Sequence, residues 1–528
     1  MKDNPGISGK AAQTRRHEII LLLAIMAVAA AVRLFNLGGF SMWFDEAYSW
    51  HLGNQAVPRI VELAKIDNTP PVYHVLLHYW IKAGAESDFM IRLPAAFFGI
   101  LSIFFTFRLG KLIFGPKTAL LAAGISALSF QLVHYSQENR MYSLQLLLGL
   151  ISTYYFVLGL RSGDRKHFLI WALSIIVSFY TQLFTVFLVF AQWVYFLTTI
   201  KSGRTNLLNW ILANALVLIA CVPWITVTVN QMGAIQEDYW VLPATLLEIV
   251  KVSFRLLGGT DFGDRYVLTA LLNLPLIAAC GWGLAGLFRD KSSGERLLPP
   301  LLFFLPVLTV FLLSLGRQSL FYFRYFVFLI PYLHLMMAYG LARLPDGWKK
   351  SAAQTAQFVV LVVFLISYYA VPAYSELLRM PLRNAADHLI EHAAPSAPVI
   401  HSSPGNIGMN TFYTGIRYTG GSFREYVWRD GRPPFYFGGS LYRDEYGLAD
   451  LGSLADEPVI WVESSIYGDG ALNEAGLPTY IRRREDINSP PAVHPDRLWI
   501  ELENAGYGLN NKTWFGATVV CEFVKGDN

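Results

Sequence analysis

Residues 19–50 read IILLLAIMAVAAAVRLFNLGGFSMWFDEAYSW. An apolar run long enough to cross a bilayer ends near Leu37. Two adjacent carboxylates, Asp45 and Glu46, follow it among Trp43, Phe44, Tyr48 and Trp50. About 18 or more consecutive apolar residues with few charges mark a transmembrane helix. Lys2, Lys10, Arg15 and Arg16 precede the run, and no convincing small-residue cleavage site separates it from the carboxylates. A retained first helix is therefore expected rather than a signal peptide.

The rest of the chain repeats that apolar pattern. Of 528 residues, 54% are hydrophobic and 15% charged, whereas soluble domains carry about 25% charge. Eleven spans are expected, near 19–37, 89–112, 118–134, 141–160, 167–181, 182–200, 207–229, 266–288, 298–315, 322–341 and 355–372. The fifth and sixth are short and nearly continuous around Tyr180-Thr181-Gln182. The fold class is thus a polytopic α-helical membrane protein. Cys221, Cys280 and Cys521 form no C-x-x-C pair, so neither a disulfide framework nor a zinc site is expected. A net charge of +4 gives no reason to expect a nucleic-acid partner.

Short loops set the orientation. Lys111…Lys117, Arg161…Lys166, Lys201…Arg204, Arg289…Arg296 and Arg343…Lys350 all fall on one side if the N-terminus is cytoplasmic. A multi-pass protein of the plasma (inner) membrane follows, with its C-terminus outside. The outer side then holds the first loop (38–88), His134–Arg140, Tyr180–Gln182, loop 230–265 and Gly316–Arg324. Arg92, Arg140, Arg255, Arg265, Arg317 and Arg324 break the charge trend there. One such arginine can be snorkelling to lipid headgroups; several on one face suggest an anionic ligand.

Within the first loop, Asp45–Leu52 can open a helix, since carboxylates are favoured in a first turn. Pro58 suits a second helix start, and residues 60–65 are amphipathic enough to lie on the membrane surface. Val72–Ala83 is too short to span and is expected at the interface or as a re-entrant segment. Beyond Pro372 the chain turns polar. Residues 383–392 and 496–504 read as helices, and 398–402, 458–462 and 517–524 as strands. This predicts a transmembrane domain over 1–375 and a periplasmic or extracytoplasmic α/β domain over 376–528. Tyr, Trp, Gly and Arg are frequent between 405 and 447, as suits either a sugar- or lipid-facing surface or a long irregular loop.

Three motifs bear on chemistry. In Asp45-Glu46, adjacent helical side chains point about 100° apart, so one carboxylate can face a substrate as general base while the other binds a donor or cation. Read blandly, the pair is a solvated helix start. In His134-Tyr-Ser-Gln-Glu-Asn-Arg140-Met-Tyr142, the Arg140 guanidinium can hold a phosphate by two parallel bonds, and Gln137 or Tyr142 can bond sugar or phosphate. The bland alternative is a topological turn. His74 and His78 have the i, i+4 spacing of metal ligands without an evident third ligand, so interfacial histidines are the simpler reading. Gly281-x-Gly283-x-x-Gly286 lies inside an apolar run with no strand before it, which points to close helix packing rather than nucleotide binding.

Trp43-Phe-Asp45-Glu46, Asn68-Thr-Pro-Pro-Val-Tyr-His74, Ile91-Arg92-Leu-Pro94, His134 to Leu144 and Arg324-Tyr-Phe-Val-Phe-Leu-Ile-Pro331 occur in that order. Together they resemble glycosyltransferase family 39, the protein O-mannosyltransferase-like group that includes bacterial aminoarabinose–lipid A transferases, over roughly residues 19–342. The resemblance implies a type C glycosyltransferase fold and a polyprenyl-phosphate sugar donor. It places Asp45 in the catalytic position of the Asp-Glu pair and Arg140 at the donor phosphate. Where the family usually has a small residue before that arginine, this chain has Asn139.

The expected activity is therefore hexosyl or pentosyl transfer from a polyprenyl monophosphate to a cell-envelope lipid, glycan or protein. Asp45 and Glu46 form the catalytic pair. Arg140, Gln137, Tyr142, Arg92, Arg324 and His134 serve the donor. No cofactor is required, and a divalent cation is compatible with the carboxylates. A lipid-linked sugar or polysaccharide transporter or flippase is the alternative, and it predicts polar groups through the membrane depth. A non-catalytic envelope scaffold is a third reading.

Overall fold

A computed structural model describes residues 5–67, 69–199, 207–235, 244–257, 266–289, 294–315, 319–370, 381–402, 409–428, 447–448, 450–465, 497–515 and 518–526. Arg265 and Arg317 lie outside them, as does much of the aromatic stretch 405–447.

Each of the eleven apolar runs is helical. The first is α1 (Pro5–Leu34). After the first loop come α5 (Asp88–Phe114), α6 and α7 (Pro116–Leu128, Phe130–Ser136), α8 (Tyr142–Ser162), α9 (Arg165–Phe179), α10 (Thr185–Thr199) and α11 (Leu207–Ile235). A shorter α12 (Leu246–Leu257) precedes α13 (Tyr266–Arg289), α14 (Leu298–Leu313), α15 (Ile330–Ala342) and α16 (Trp348–Ala370). Among the described residues, eight segments are long and apolar enough to cross a membrane, and the α6–α7 pair is a ninth if counted as one span. The two short runs flanking Tyr180 give helices of 15 residues each, α9 and α10.

The third expected span is not continuous. Its two helices meet at Ser129 with a bend of 59°. No proline or glycine stands at the break; Arg33 of α1 causes it to persist. The fully buried Arg33 guanidinium donates to the freed carbonyls of Ala127 (2.9 Å) and Ser126 (3.3 Å) and to Ser136 Oγ (3.2 Å). A side chain inserted into the helical ladder is a recognised source of kinks.

Close helix packing accounts for the glycine motif. α13 crosses α15 so tightly that a Cβ on Gly283 would collide with the Met336 carbonyl oxygen, and one on Gly340 would stand 2.6 Å from Ala279 O. The three cysteines are free and buried.

The first loop folds as three short helices: α2 (Phe44–Gly53), α3 (Val57–Ile66, with proline in its first turn) and α4 (Val72–Lys82). Val72 N donates to Tyr180 O (3.1 Å), tying α4 to the α9–α10 turn. At the opposite end of the bundle, Arg161 of the basic loops pairs with Glu295 and donates to Leu112 O (2.7 Å).

The polar C-terminal region builds a six-stranded sheet of order β3-β2-β1-β4-β6-β5. Its strands are β1 (Pro398–Ser402), β2 (Arg424–Trp428), β3 (Gly447–Leu448), β4 (Val459–Ser465), β5 (Tyr507–Phe515) and β6 (Thr518–Lys525). The first four run parallel; β6 pairs antiparallel with β4 and β5. The helices are α17 (Leu382–His392), α18 (Met409–Thr419) and α19 (Arg497–Asn504). α18 connects β1 to β2 and packs on α2 of the membrane region.

Candidate active site

The carboxylates open α2 and are almost completely buried, Asp45 at 3% exposure and Glu46 at 2%. They have different partners, as the angular offset of neighbouring helical residues requires.

Glu46 meets Arg92 in a two-pronged fork, Nε to Oε1 and Nη2 to Oε2 both at 2.7 Å. Arg92 also donates to the carbonyls of Leu37 (3.0 Å), Phe40 (2.9 Å) and Ser41 (3.1 Å). A guanidinium has five N–H donors, and these five bonds use them all. Arg92 thus fastens the 37–46 loop, and all five of its donors are engaged there. Asn139 completes the fastening. Its backbone N donates to Glu46 Oε1 (2.8 Å), its side chain donates to Glu46 O (3.1 Å) and accepts from Tyr73 Oη (3.0 Å). The residue that departs from the family pattern is therefore a bracket between α2 and α4.

Asp45 faces the arginines. Arg324 Nη1 donates to Oδ2 at 3.0 Å, and Arg140 Nη2 stands 3.8 Å from the same oxygen. Arg140 Nη1 donates to Ser49 Oγ (2.9 Å) and Asp45 O (3.2 Å). The backbone breaks that place them are local. Arg140 lies in the tight link between α7 and α8, and Arg324 in a 3-10 turn (Phe323–Leu329) leading into α15. The Arg324 guanidinium lies within 6.0 Å of the ring centres of Trp43, Tyr322 and Tyr325. Tyr142 is buried edge-on to Tyr135, ring centres 5.0 Å apart, within the electrostatic field of Asp45, Arg140 and Arg324.

Gln137 and His134 are occupied elsewhere. The Gln137 amide donates to the carbonyls of Val32, Arg33 and Phe35 at the end of α1, and its oxygen accepts from Tyr369 Oη (3.1 Å). Its amide thereby caps the end of α1. His134 bonds Tyr368 Oη (3.2 Å) and Glu138 Oε1 (2.9 Å). Burial alone would raise the Glu138 carboxyl; His134, then Arg324 and Arg140, hold it below its ordinary value. Glu138 is thus a second anion beneath the arginines, in a motif the sequence marked but at a position it did not select.

The sheet domain reaches the same place. Tyr413 of α18 packs on Phe44 (5.8 Å), Tyr48 (5.2 Å) and His51 (5.5 Å) of α2. Arg383, Arg417 and Tyr418 converge on Asp88, at 2.6, 2.9 and 2.7 Å. Tyr418 Oη also accepts from Met42 N. Arg255 lies 4.6 Å over the Phe323 ring.

His78 Nδ1 bonds Gly53 O (3.0 Å). Among the described residues no three His, Cys, Asp or Glu side chains converge as metal ligands. Chemically, the arrangement is one carboxylate held by two guanidiniums inside an aromatic enclosure, at the end of a membrane bundle.

Residues 68–226 match the family model described as dolichyl-phosphate-mannose-protein mannosyltransferase. No curated protein matches the chain by sequence. Among solved structures, ArnT from Cupriavidus metallidurans bound to undecaprenyl phosphate is 12% identical, with 96% of this chain and 99% of that chain covered and a TM-score of 0.61. The apo form of ArnT gives 11%, 98%, 100% and 0.62. AglB, the oligosaccharyltransferase from Archaeoglobus fulgidus, in complex with an inhibitory peptide and a dolichol-phosphate gives 11%, 86%, 70% and 0.50. The chain is thus a polytopic membrane protein of the type C glycosyltransferase fold, and residues 68–226 carry a glycosyltransferase family signature.

Proposed function

We propose that this membrane glycosyltransferase moves a sugar from a polyprenyl-phosphate donor to a cell-envelope acceptor, with Asp45 as base. The observation that carries the reading is the convergence of Arg140 and Arg324 on the Asp45 carboxylate. ArnT with undecaprenyl phosphate and AglB with a dolichol-phosphate support a lipid phosphate as the donor's leaving group.

A donor phosphate competes with Asp45 for the two guanidiniums. As they turn to the phosphate, Asp45 Oδ2 becomes able to accept a proton. The acceptor hydroxyl loses its proton to Asp45, and its oxygen bonds to the anomeric carbon. The carbon–oxygen bond to phosphate breaks on the opposite face, and its electron pair stays on the phosphate. Configuration at the anomeric carbon inverts. Arg140 and Arg324 stabilise the charge that develops there, an electrostatic contribution of the oxyanion-hole kind. Trp43, Phe44 and Tyr48 limit the access of water. Confinement of both substrates to one bilayer supplies proximity. Glu46, bound to Arg92, positions the helix that carries Asp45.

In this reading the protein lies in the plasma membrane with its N-terminus cytoplasmic. Residues 1–375 form the transferase and 376–528 an extracytoplasmic α/β domain. A divalent cation would add charge near the phosphate, where two arginines already supply it.

The test is the purified full chain in lipid nanodiscs, given undecaprenyl-phosphate mannose, glucose, galactose or aminoarabinose with a membrane extract. Transfer releases undecaprenyl phosphate and labels an acceptor. Movement of an intact lipid-linked sugar across vesicles, without cleavage, would instead establish the transporter.

A further inference from the structure

His74 stands apart from every other histidine near the site. It is fully buried, and neither Nδ1 nor Nε2 has a hydrogen-bond partner among the described residues. A buried polar group left unpaired destabilises the fold, so both nitrogens call for a ligand.

Its position follows from the bonds around it. α2 and α4 lie side by side and run in the same sense. Tyr73, at the head of α4, reaches Glu46 through Asn139, and His78 meets the Gly53 carbonyl one turn further on. His74 precedes His78 by about one turn. It therefore stands level with Ser49, one turn before Gly53, and Ser49 is the residue Arg140 holds at 2.9 Å. Arg140 supplies a second buried atom of the same kind, since its Nε has no partner among the described residues.

The charge state narrows the ligand. Burial first, and then the charge of Arg140, push the His74 imidazole down to about 3. At neutral pH the ring is uncharged, with one N–H to donate and one lone pair that needs a donor. A phosphate oxygen can satisfy the first but not the second. A carbohydrate hydroxyl can serve either, and neighbouring hydroxyls on one ring can serve both.

We propose that His74 binds hydroxyl groups of the transferred sugar, beside the phosphate that Arg140 holds, and so makes the site read the sugar as well as the lipid phosphate. This rests on the donor reading above. It deepens that reading by assigning the substrate a hydroxyl-bearing ring on the His74 side.

The experiment compares binding of undecaprenyl phosphate with binding of its mannose, glucose, galactose and aminoarabinose esters to the full chain in nanodiscs. In the unaltered protein at least one ester should bind about ten-fold or more tightly than the bare phosphate. His74→Phe should erase that advantage while undecaprenyl phosphate binding stays within about two-fold. His74→Gln, which keeps a donor and an acceptor, should restore part of it and part of the turnover. An unchanged sugar advantage in His74→Phe overturns the inference and leaves the donor reading standing. The absence of a sugar advantage in the unaltered protein also overturns it. Failure of the unaltered protein to bind undecaprenyl phosphate overturns the donor reading and this inference together.

Discussion

Asp45 and Arg324 are 279 residues apart in the chain, and they meet at 3.0 Å in the buried site. The contact joins the first loop to the entry of α15, so the candidate site exists only once most of the membrane bundle has assembled. Asp45→Asn keeps the shape of the side chain and removes its ability to take a proton. Release of undecaprenyl phosphate should fall about 10²–10⁴-fold, with the thermal midpoint of the purified protein little changed. Near-normal release would remove Asp45 from the mechanism.

The arginines should separate into two classes. Arg324→Ala and Arg140→Ala remove charge at the leaving phosphate, and turnover should fall about 10²–10³-fold in protein that still purifies as a monodisperse sample. Arg92→Ala leaves Glu46 buried without its partner, a defect costing about 3–5 kcal/mol. Its signature should be a lowered thermal midpoint and poor yield. A stable Arg92→Ala protein with weakened lipid phosphate binding would place Arg92 at the donor.

Tyr418→Phe tests the grip of the sheet domain on the loop that carries Asp45. The change removes one hydroxyl that accepts from Met42 N and donates to Asp88. Hydrogen exchange should quicken across residues 40–50, and turnover should drop several-fold at unchanged donor binding. An exchange pattern identical to the unaltered protein would show that the bond does not hold the loop.

A pH effect is expected in the sheet domain, outside the membrane spans. Glu463 of β4 is buried, and burial first, then the nearby Glu425, raise its carboxyl well above the ordinary value. His401 Nδ1 lies 3.5 Å from Glu463 Oε2, too far for a hydrogen bond, while its Nε2 bonds Glu425 at 2.9 Å. The folded chain therefore keeps a proton that the unfolded chain gives up. Stability is full below the unfolded value near 4.5 and declines as pH rises toward the folded value, by at most about 1.4 kcal/mol per pH unit. Glu463→Gln should flatten that decline, raising the thermal midpoint more at pH 8 than at pH 5. Equal shifts at both pH values would mean that Glu463 is already ionised in the fold.

Much of this was legible in the sequence, because apolar runs and strand-like runs are local signals. Runs near 398, 458 and 517 mark β1, β4 and β6, and Phe40–Ser49 marks the carboxylate helix. The break at Ser129 was hidden because its cause, Arg33, comes from another helix. The arginines could be placed on one face by charge pattern. Their division was hidden, since Arg92 differs from Arg324 only in how many carbonyl oxygens the fold brings within reach. The same holds for Gln137, whose amide ends on the carbonyls of α1. The i, i+4 spacing drew attention to His74 and His78 as a pair, yet one bonds a carbonyl and the other bonds nothing described. The helix α18 was not legible in the aromatic stretch after residue 405, because its seat against α2 depends on the whole sheet behind it.

Asp88 receives Arg383, Arg417 and Tyr418 from the sheet domain, and Tyr418 passes the connection on to the backbone of Met42. This has a consequence for building hybrid enzymes. A foreign C-terminal domain grafted onto this membrane bundle would need to bring three matching donors to one carboxylate, or the graft would disturb the helix it was meant to leave alone. Arg383, Arg417 and Tyr418 are therefore the set that must travel together in any such exchange.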